Sequence, residues 1–426
     1  MIKLLFLLLA TAATVSCVND TTETVEVTSG NRLVIENQVP EMTSVGVMAF
    51  GPDNALLVAD PMSGTLFAFE IDRGRAPLSL VPFNILYVDV QMAVLLGTTV
   101  DQINIKDMVV HPISHRAYLS VMVGDGDGAQ PAVFNVNNEG VIELVDLAAV
   151  SYTAVTLDQL PDEAAVVGNN ISLRELSMTD IDYFEGELFV SGLSNGEFSA
   201  VVHRMPYPFD GTVSTASTEI YHTTHDQIET RAPIRTQTII ETESGPILLA
   251  AYAGTPLVTF PLSDMSDGAV VRGKTVAELG YGSTPIDLLF YSEFGTDKII
   301  ATQTNYNALT FEVDQILAAN SSEGLSAPVA PGTIEGIEPF NTALSGVDQI
   351  SELDSVHLLM VRTNRESGNL DLVSTVKSIF FRLSDFQSEY DAVGYNYPDD
   401  GSQRATKMFH NIFRLNEGHR EEVVFP

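Results

Sequence analysis

The chain has one cysteine, no tryptophan and only 21 Lys and Arg among its 426 residues. Each scarcity excludes something. A lone cysteine, Cys17, cannot form an intramolecular disulfide, a Cys-based zinc site or a Cys-X-X-Cys-His haem attachment. Against the 21 basic residues stand 56 Asp and Glu, a formal charge of −35. Nothing offsets phosphate repulsion, so nucleic acid and bare anionic lipid are excluded as partners, while cations, basic partners or a saline milieu are favoured. Beyond the first residues no apolar stretch approaches the 18 needed to cross a bilayer. No P-loop, dinucleotide fingerprint or HExxH string is present. Helical periodicity is nearly absent as well.

What is present is apolar. Hydrophobic residues make up 45% of the chain and mean hydropathy is +0.14. The chain is therefore not a disordered acidic coil, and it can bury a large core.

Met1-Ile2-Lys3 is a short basic start, and residues 4–13 are an apolar run too short to span a bilayer. Thr14-Val15-Ser16-Cys17 follows. This arrangement resembles a bacterial lipobox, with Thr14 in place of the usual Leu. The resemblance implies a signal peptide over 1–16, cleavage before Cys17, and acylation of its sulfur and new amino group. Several acyl chains anchor a protein firmly where one binds only marginally. Residues 17–30 are polar and acidic and read as a tether. Asn19 two positions after Cys17, where Asp would retain a lipoprotein at the inner membrane, favours the outer membrane by resemblance to enterobacterial sorting. The membrane face stays undetermined.

Short β-branched and aromatic runs bounded by Gly, Pro, Asn and Asp recur throughout, which is the strand signature. One three-strand unit appears six times, at 45–71, 105–136, 181–205, 234–262, 286–313 and 347–376. Such repetition predicts an all-β propeller of six to seven blades forming a single domain over 31–426. Seven is preferred, with strands from 31–37 and 408–425 pairing to close the ring and hide its edges. The first copy, with FGPDNALLVAD before a glycine turn, resembles NHL- and YVTN-type propeller repeats across residues 40–380, whereas WD-type signatures lack their tryptophan. Residues 77–104, 138–178, 317–345 and 384–407 read as loops, with a helical turn at 157–165.

Aligning the copies places Gly46, Asp107, Asp182, Arg235, Asp287 and Asp348 at one position near the start of the channel-lining strand. Four carboxylates around Arg235 would repel one another unless a metal, a proton or the guanidinium compensated. Two readings stay open. The aspartates form a channel-mouth ligand site binding Ca²⁺ or a similar hard cation through oxygen, or each caps its own strand by accepting neighbouring amides.

A second polar cluster holds His222, His225 and Arg231. The His222/His225 spacing fits two imidazoles on one helical turn, with Asp226 or Glu229 as a carboxylate ligand; incidental surface roles are the competing reading. Gly192-Leu193-Ser194-Asn195-Gly196 matches a nucleophile-elbow string, but strand-like residues follow it and it reads as a turn. The Gly124–Gly128 run reads as a hairpin tip and His111 as structural.

No catalytic signature stands out. The sequence therefore favours a lipid-anchored envelope scaffold that binds a protein or a small molecule through its loops or channel mouth. The alternative is a Ca²⁺-dependent propeller hydrolase of lactonase type, an inference by fold analogy.

Overall fold

A computed structural model describes residues 39–378 except 169, 170 and 281. It also describes the backbone of Val25–Thr28 and Arg32–Ile35, and residues 380, 408, 411, 412 and 414–418. Cys17 and its lipobox, the 384–407 excursion and much of the C-terminal segment lie outside the described residues.

Six sheets of four to six strands radiate from a centre as the blades of a propeller. Their innermost strands are Met48–Phe50, Ile103–Val110, Asp180–Phe184, Ile234–Ile240, Pro285–Glu293 and Val347–Glu352. Each of the six sequence copies supplies the three inner strands of one blade. In the first blade, Met48–Phe50 pairs with Ala55–Asp60, which pairs with Thr65–Glu70. Ala55–Asp60 is buried at all six positions. A strand covered on both faces by neighbouring blades has no solvent side, so it reads as a continuous apolar run rather than an alternation. Turn chemistry sets the hairpins. Asp53 (φ 57°) and Asn54 (φ 65°) adopt the left-handed conformation these residue types tolerate.

The core is divided into six apolar clusters, one between each pair of adjoining blades, and these fix the order around the ring. Chain order is not ring order. The first blade packs on the second through Val58, Phe69 and Tyr118, and on the third through Leu57, Val190 and Met205. Third to fourth, fourth to fifth and fifth to sixth follow in sequence. The sixth then packs on the second through Leu359, Leu119 and Phe134. The second blade is therefore inserted between the first and the sixth.

This wiring accounts for the irregular spacing of the copies. After the first blade's third strand the chain gives Asn84–Ile85 to the outer edge of the sixth blade, where these residues pair with Val373 and Leu372. It then forms the helix Val88–Leu96, builds the second blade, and returns to add Tyr152–Thr156 to the first. Phe83 N–H donates to Ser374 Oγ at 2.9 Å inside this closure. The segments 77–104 and 138–178 are thus the stitching of the ring rather than simple loops. Residues 157–165 contain a turn and no helical turn. The 317–345 segment begins in the helix Val313–Asn320 and lends edge strands Glu335–Gly336 and Phe340–Asn341 to the fourth and fifth blades.

The preferred seventh blade is not formed among the described residues. Arg32–Ile35 pairs instead with Tyr152 on the outer edge of the first blade, and Val25–Thr28, expected in a tether, pairs with Arg32–Ile35. Met408, Asn411, Ile412 and Arg414 to Asn416 are helical, not extended. Closure comes from the interleaved outer strands, so no terminal strand pair is required. Among the described residues no helix is long and apolar enough to cross a membrane.

Candidate functional site at the channel mouth

The innermost strands begin at one end of the channel, and their first residues form a repeated junction. Asp107 in the second blade accepts Met48 N–H from the first at 2.6 Å, and Met108 N–H from its own strand at 2.7 Å. Asp180 in the third blade accepts Gln237 N–H from the fourth and Ile181 N–H from its own strand, both at 2.7 Å. Thr236 Oγ1 in the fourth accepts Leu288 N–H from the fifth at 2.9 Å. Asp287 in the fifth accepts Ile350 N–H from the sixth at 2.9 Å. Gln349 in the sixth reaches the second: with its amide nitrogen turned inward it donates to Asp107 Oδ1 at 3.0 Å and Asp287 Oδ2 at 3.3 Å. The same position in the first blade is Val47, which has no acceptor to offer. Five of six junctions are therefore tied by a polar side chain from one blade to the backbone or side chains of the next.

These residues surround a cavity of about 410 Å³, lined also by Lys106, Arg235 and Glu175. Glu175 sits on the 3-10 turn Leu173–Leu176, which overhangs the mouth. Ser177 Oγ donates to Pro61 O at 2.8 Å and Arg174 Nε to Pro161 O at 2.9 Å, pinning that turn. Lys106 Nζ lies 3.8 Å from Glu175. Arg235 Nε is buried and has no hydrogen-bond partner.

Crowding acids in a partly dry mouth favours their neutral forms. Burial pushes Asp107 up to about 7, with the Asp180 charge adding to the effect. Burial and then Asp107 raise Asp287 well above the usual carboxylate range. Burial likewise raises Asp180, and burial followed by Asp180 raises Asp182. The backbone N–H bonds pull the other way for Asp107, Asp180 and Asp287, but burial outweighs them.

The alignment read from sequence is corrected at four of its six positions. Asp107 and Asp287 are equivalent, as expected. Their counterparts are Val47, Asp180, Thr236 and Gln349, not Gly46, Asp182, Arg235 and Asp348. Bulges displace the register of the innermost strands at 105/107, 234/236, 285/288 and 347/349, and a bulge adds a residue that leaves no trace in an apolar pattern. Gly46 and Arg235 still line the cavity. Asp182 lies two residues along the strand from Asp180, with Oδ2 unpartnered. Asp348 is half-buried, 3.5 Å from Thr363 Oγ1, and does not line the cavity.

The four-aspartate Ca²⁺ ring, one of the two readings of the sequence, is not assembled among the described residues. Among the described residues no three of these carboxylates come within reach of one ion; the group that does is His222, His225 and Glu229. Asp107 and Asp180 each use both carboxylate oxygens on backbone amides, which is the capping reading extended across the blade boundary.

The histidine cluster is brought together, though not on a helix. Residues 223–226 reverse the chain between Ser214–His222 and Gln227–Glu229, with Asp226 left-handed at φ 49°. Arg231 is exposed. The Gly192–Gly196 string is a turn between Glu187–Leu193 and Ala200–Pro206. Gly124–Gly128 forms the tip between Ala117–Val123 and Gln130–Val136. His111 is fully buried, and its Nδ1 accepts Ile113 and Ser114 N–H, both at 3.1 Å.

No protein-family model matches the chain, and no curated protein matches it. Solved structures do. The chain is similar to an engineered GH43 glycoside hydrolase with endo-xylanase and exo-arabinofuranosidase activity, at 12% identity and a TM-score of 0.31, over 65% of this chain and 51% of that one. It is similar to Raptor from Chaetomium thermophilum at 10% identity and a TM-score of 0.32, over 80% and 24%. It is also similar to an alpha-L-arabinofuranosidase from Clostridium thermocellum at 9% identity and a TM-score of 0.30, over 63% and 88%. This chain thus spans about half the length of the first protein and a quarter of the second. Likeness at this level says nothing of activity or ligand.

Proposed function

We propose that the protein is a binding propeller held at a bacterial cell envelope by acylated Cys17, and that its channel mouth takes a small, uncharged, polyhydroxylated ligand. One observation carries the ligand reading. The 410 Å³ cavity is lined by Arg235, whose buried Nε has no hydrogen-bond partner, together with carboxyl, amide and hydroxyl groups. Its volume suits a small molecule. The acids are raised towards neutrality and the two cations are set against them, so neither a strong anion nor a strong cation is favoured. Hydroxyl groups can satisfy both kinds of lining.

The test is calorimetric titration of a panel of polyols and mono- and disaccharides into the wild type and Arg235→Ala. Binding by the wild type that falls at least tenfold in the variant supports this reading. Equal binding, or none, overturns it. For the anchor, metabolic acyl labelling that persists in Cys17→Ser would remove the lipoprotein reading.

A hydrolase remains the second reading because Asp107, raised to about 7, has the proton affinity of a general acid. Both of its oxygens are already taken by backbone amides, which favours binding over catalysis. Turnover of any ester, lactone or glycoside that Asp107→Asn abolishes would reverse that preference.

A further inference from the structure

We propose that the hairpin around residues 222–229 is a zinc site. His222 Nδ1, His225 Nδ1 and a Glu229 carboxylate oxygen take three corners of a tetrahedron and leave the fourth to water. The hairpin stands at the same end of the third blade as Asp180, since alternate antiparallel strands return the chain there. It is nevertheless separate from the channel cavity, on the blade's outer strands against the fourth blade.

The ligand atoms already converge, all within 4.8 Å of one another. His225 Nδ1 is 2.5 Å from Glu229 Oε1, and His222 Nδ1 is 3.1 Å from Glu229 Oε2. The two imidazole centres are 4.1 Å apart. Zinc bonds of about 2.0–2.1 Å place tetrahedral ligand atoms roughly 3.3 Å apart, so modest side-chain adjustment reaches that spacing, and the exposed His225 is placed to make it.

Two buried groups in and behind the cluster are poorly satisfied. His222 is 4% exposed, and its Nδ1 meets Glu229 Oε2 at 3.1 Å in a poorly aligned contact that falls short of a full hydrogen bond. Glu278 is fully buried behind it, 4.0 Å from His222 Nε2. Its Oε2 accepts the Thr223 hydroxyl at 2.6 Å, and its Oε1 has no partner. A buried carboxylate so poorly satisfied is expensive unless a positive charge lies close by. Among the described residues the ion pairs of Glu229 and Glu278 run to His222 and His225. Two carboxylates thus lie beside two imidazoles, a setting that favours a divalent cation.

The surroundings also orient the ring as a metal ligand requires. His222 Nε2 lies 2.9 Å from Thr224 Oγ1, an acceptor for the N–H opposite the metal-binding nitrogen. Gly254 gives the ring its seat, because a Cβ there would stand 3.0 Å from His222 Cε1. Two imidazoles and one carboxylate suit zinc and not Ca²⁺ or Mg²⁺, which prefer all-oxygen sites.

The experiment is calorimetric titration of zinc into the tag-free, chelator-treated chain, with Ca²⁺ and Mg²⁺ as controls, for the wild type, His225→Ala and Glu229→Gln. One equivalent of zinc bound by the wild type, with a raised thermal midpoint and at least tenfold weaker binding in both variants, is the expected result. His225 is 57% exposed, so its variant should melt with the metal-free wild type; Glu229→Gln keeps the side-chain volume and reads the same ligand if it does not. No zinc uptake by the wild type, or affinity unchanged in the variants, overturns the proposal and leaves a proton-bridged cluster.

Discussion

Two acidic clusters stand at the same end of this propeller, and they differ in what their lone pairs are doing. At the channel mouth, Asp107 and Asp180 each accept two backbone N–H bonds, one of them across a blade boundary. At the hairpin, Glu229 meets two imidazoles, and Glu278 behind them keeps one oxygen unpaired. The mouth has more aspartates, and from sequence it looks the better metal site. Three of them, Asp107, Asp180 and Asp287, are occupied in holding blades together. Satisfied carboxylates build a frame; unsatisfied ones await a ligand. The contrast also separates ring integrity from ligand binding, so the two can be broken independently.

The largest expected effect is at the junctions. Asp180→Ala removes the acceptor of Gln237 N–H and Ile181 N–H together, and should lower unfolding free energy by about 3 kcal/mol. Urea denaturation measures it. A loss below about 1 kcal/mol would mean that water in the cavity replaces the carboxylate and that the junction is not a latch.

Next comes pH. Asp107 is raised in the folded state, so between its unfolded value near 4 and its folded value near 7 the native chain holds the extra proton. Stability from this group is therefore full at low pH and lost as pH rises through about 7. For Asp107 alone, going from pH 5 to pH 8 should cost about 2.5 kcal/mol. Asp180, Asp182 and Asp287 act in the same direction. The check is denaturant unfolding at both pH values in high salt, which screens the overall charge of −35. An Asp107→Asn variant with the same pH slope as the wild type would contradict the assignment.

The smallest effect sharpens the ranking. Thr236→Val keeps shape and removes both a neutral acceptor from Leu288 N–H and the hydroxyl bonded to Asp180, so it should cost about 1–2 kcal/mol. A loss matching that of Asp180→Ala would show that charge adds nothing to the latch.

Much of the fold was legible in the sequence. The six copies lie within the six blades because hairpin formation is local: turn residues such as Asp53 and Asn54 accept left-handed conformations, and apolar runs such as Ala55–Asp60 declare burial on two faces. The candidate site was legible by residue type, less so by position. Asp107 and Asp287 fell in register, but bulges in the innermost strands moved the true equivalents of Arg235 and Asp348 to Thr236 and Gln349. In the third blade, Asp180 and Asp182 lie on the same strand face, and sequence cannot choose between them. His222 and His225 were visible as a pair. Their buried partner Glu278 was not, since it lies in the next blade.

The sequence by itself determined a β-propeller: its units, their hairpins and the strand that lines the channel, all fixed by contacts between residues near one another in the chain. Tertiary structure decided the rest. It set the second blade between the first and the sixth, lent Asn84–Ile85 and Tyr152–Thr156 to distant sheets, and chose which acids are consumed by neighbouring amides. The reason is physical. Ring order and lone-pair satisfaction depend on packing between blades that can lie hundreds of residues apart, and closing such long loops adds entropy only slowly with length, so no local pattern announces it.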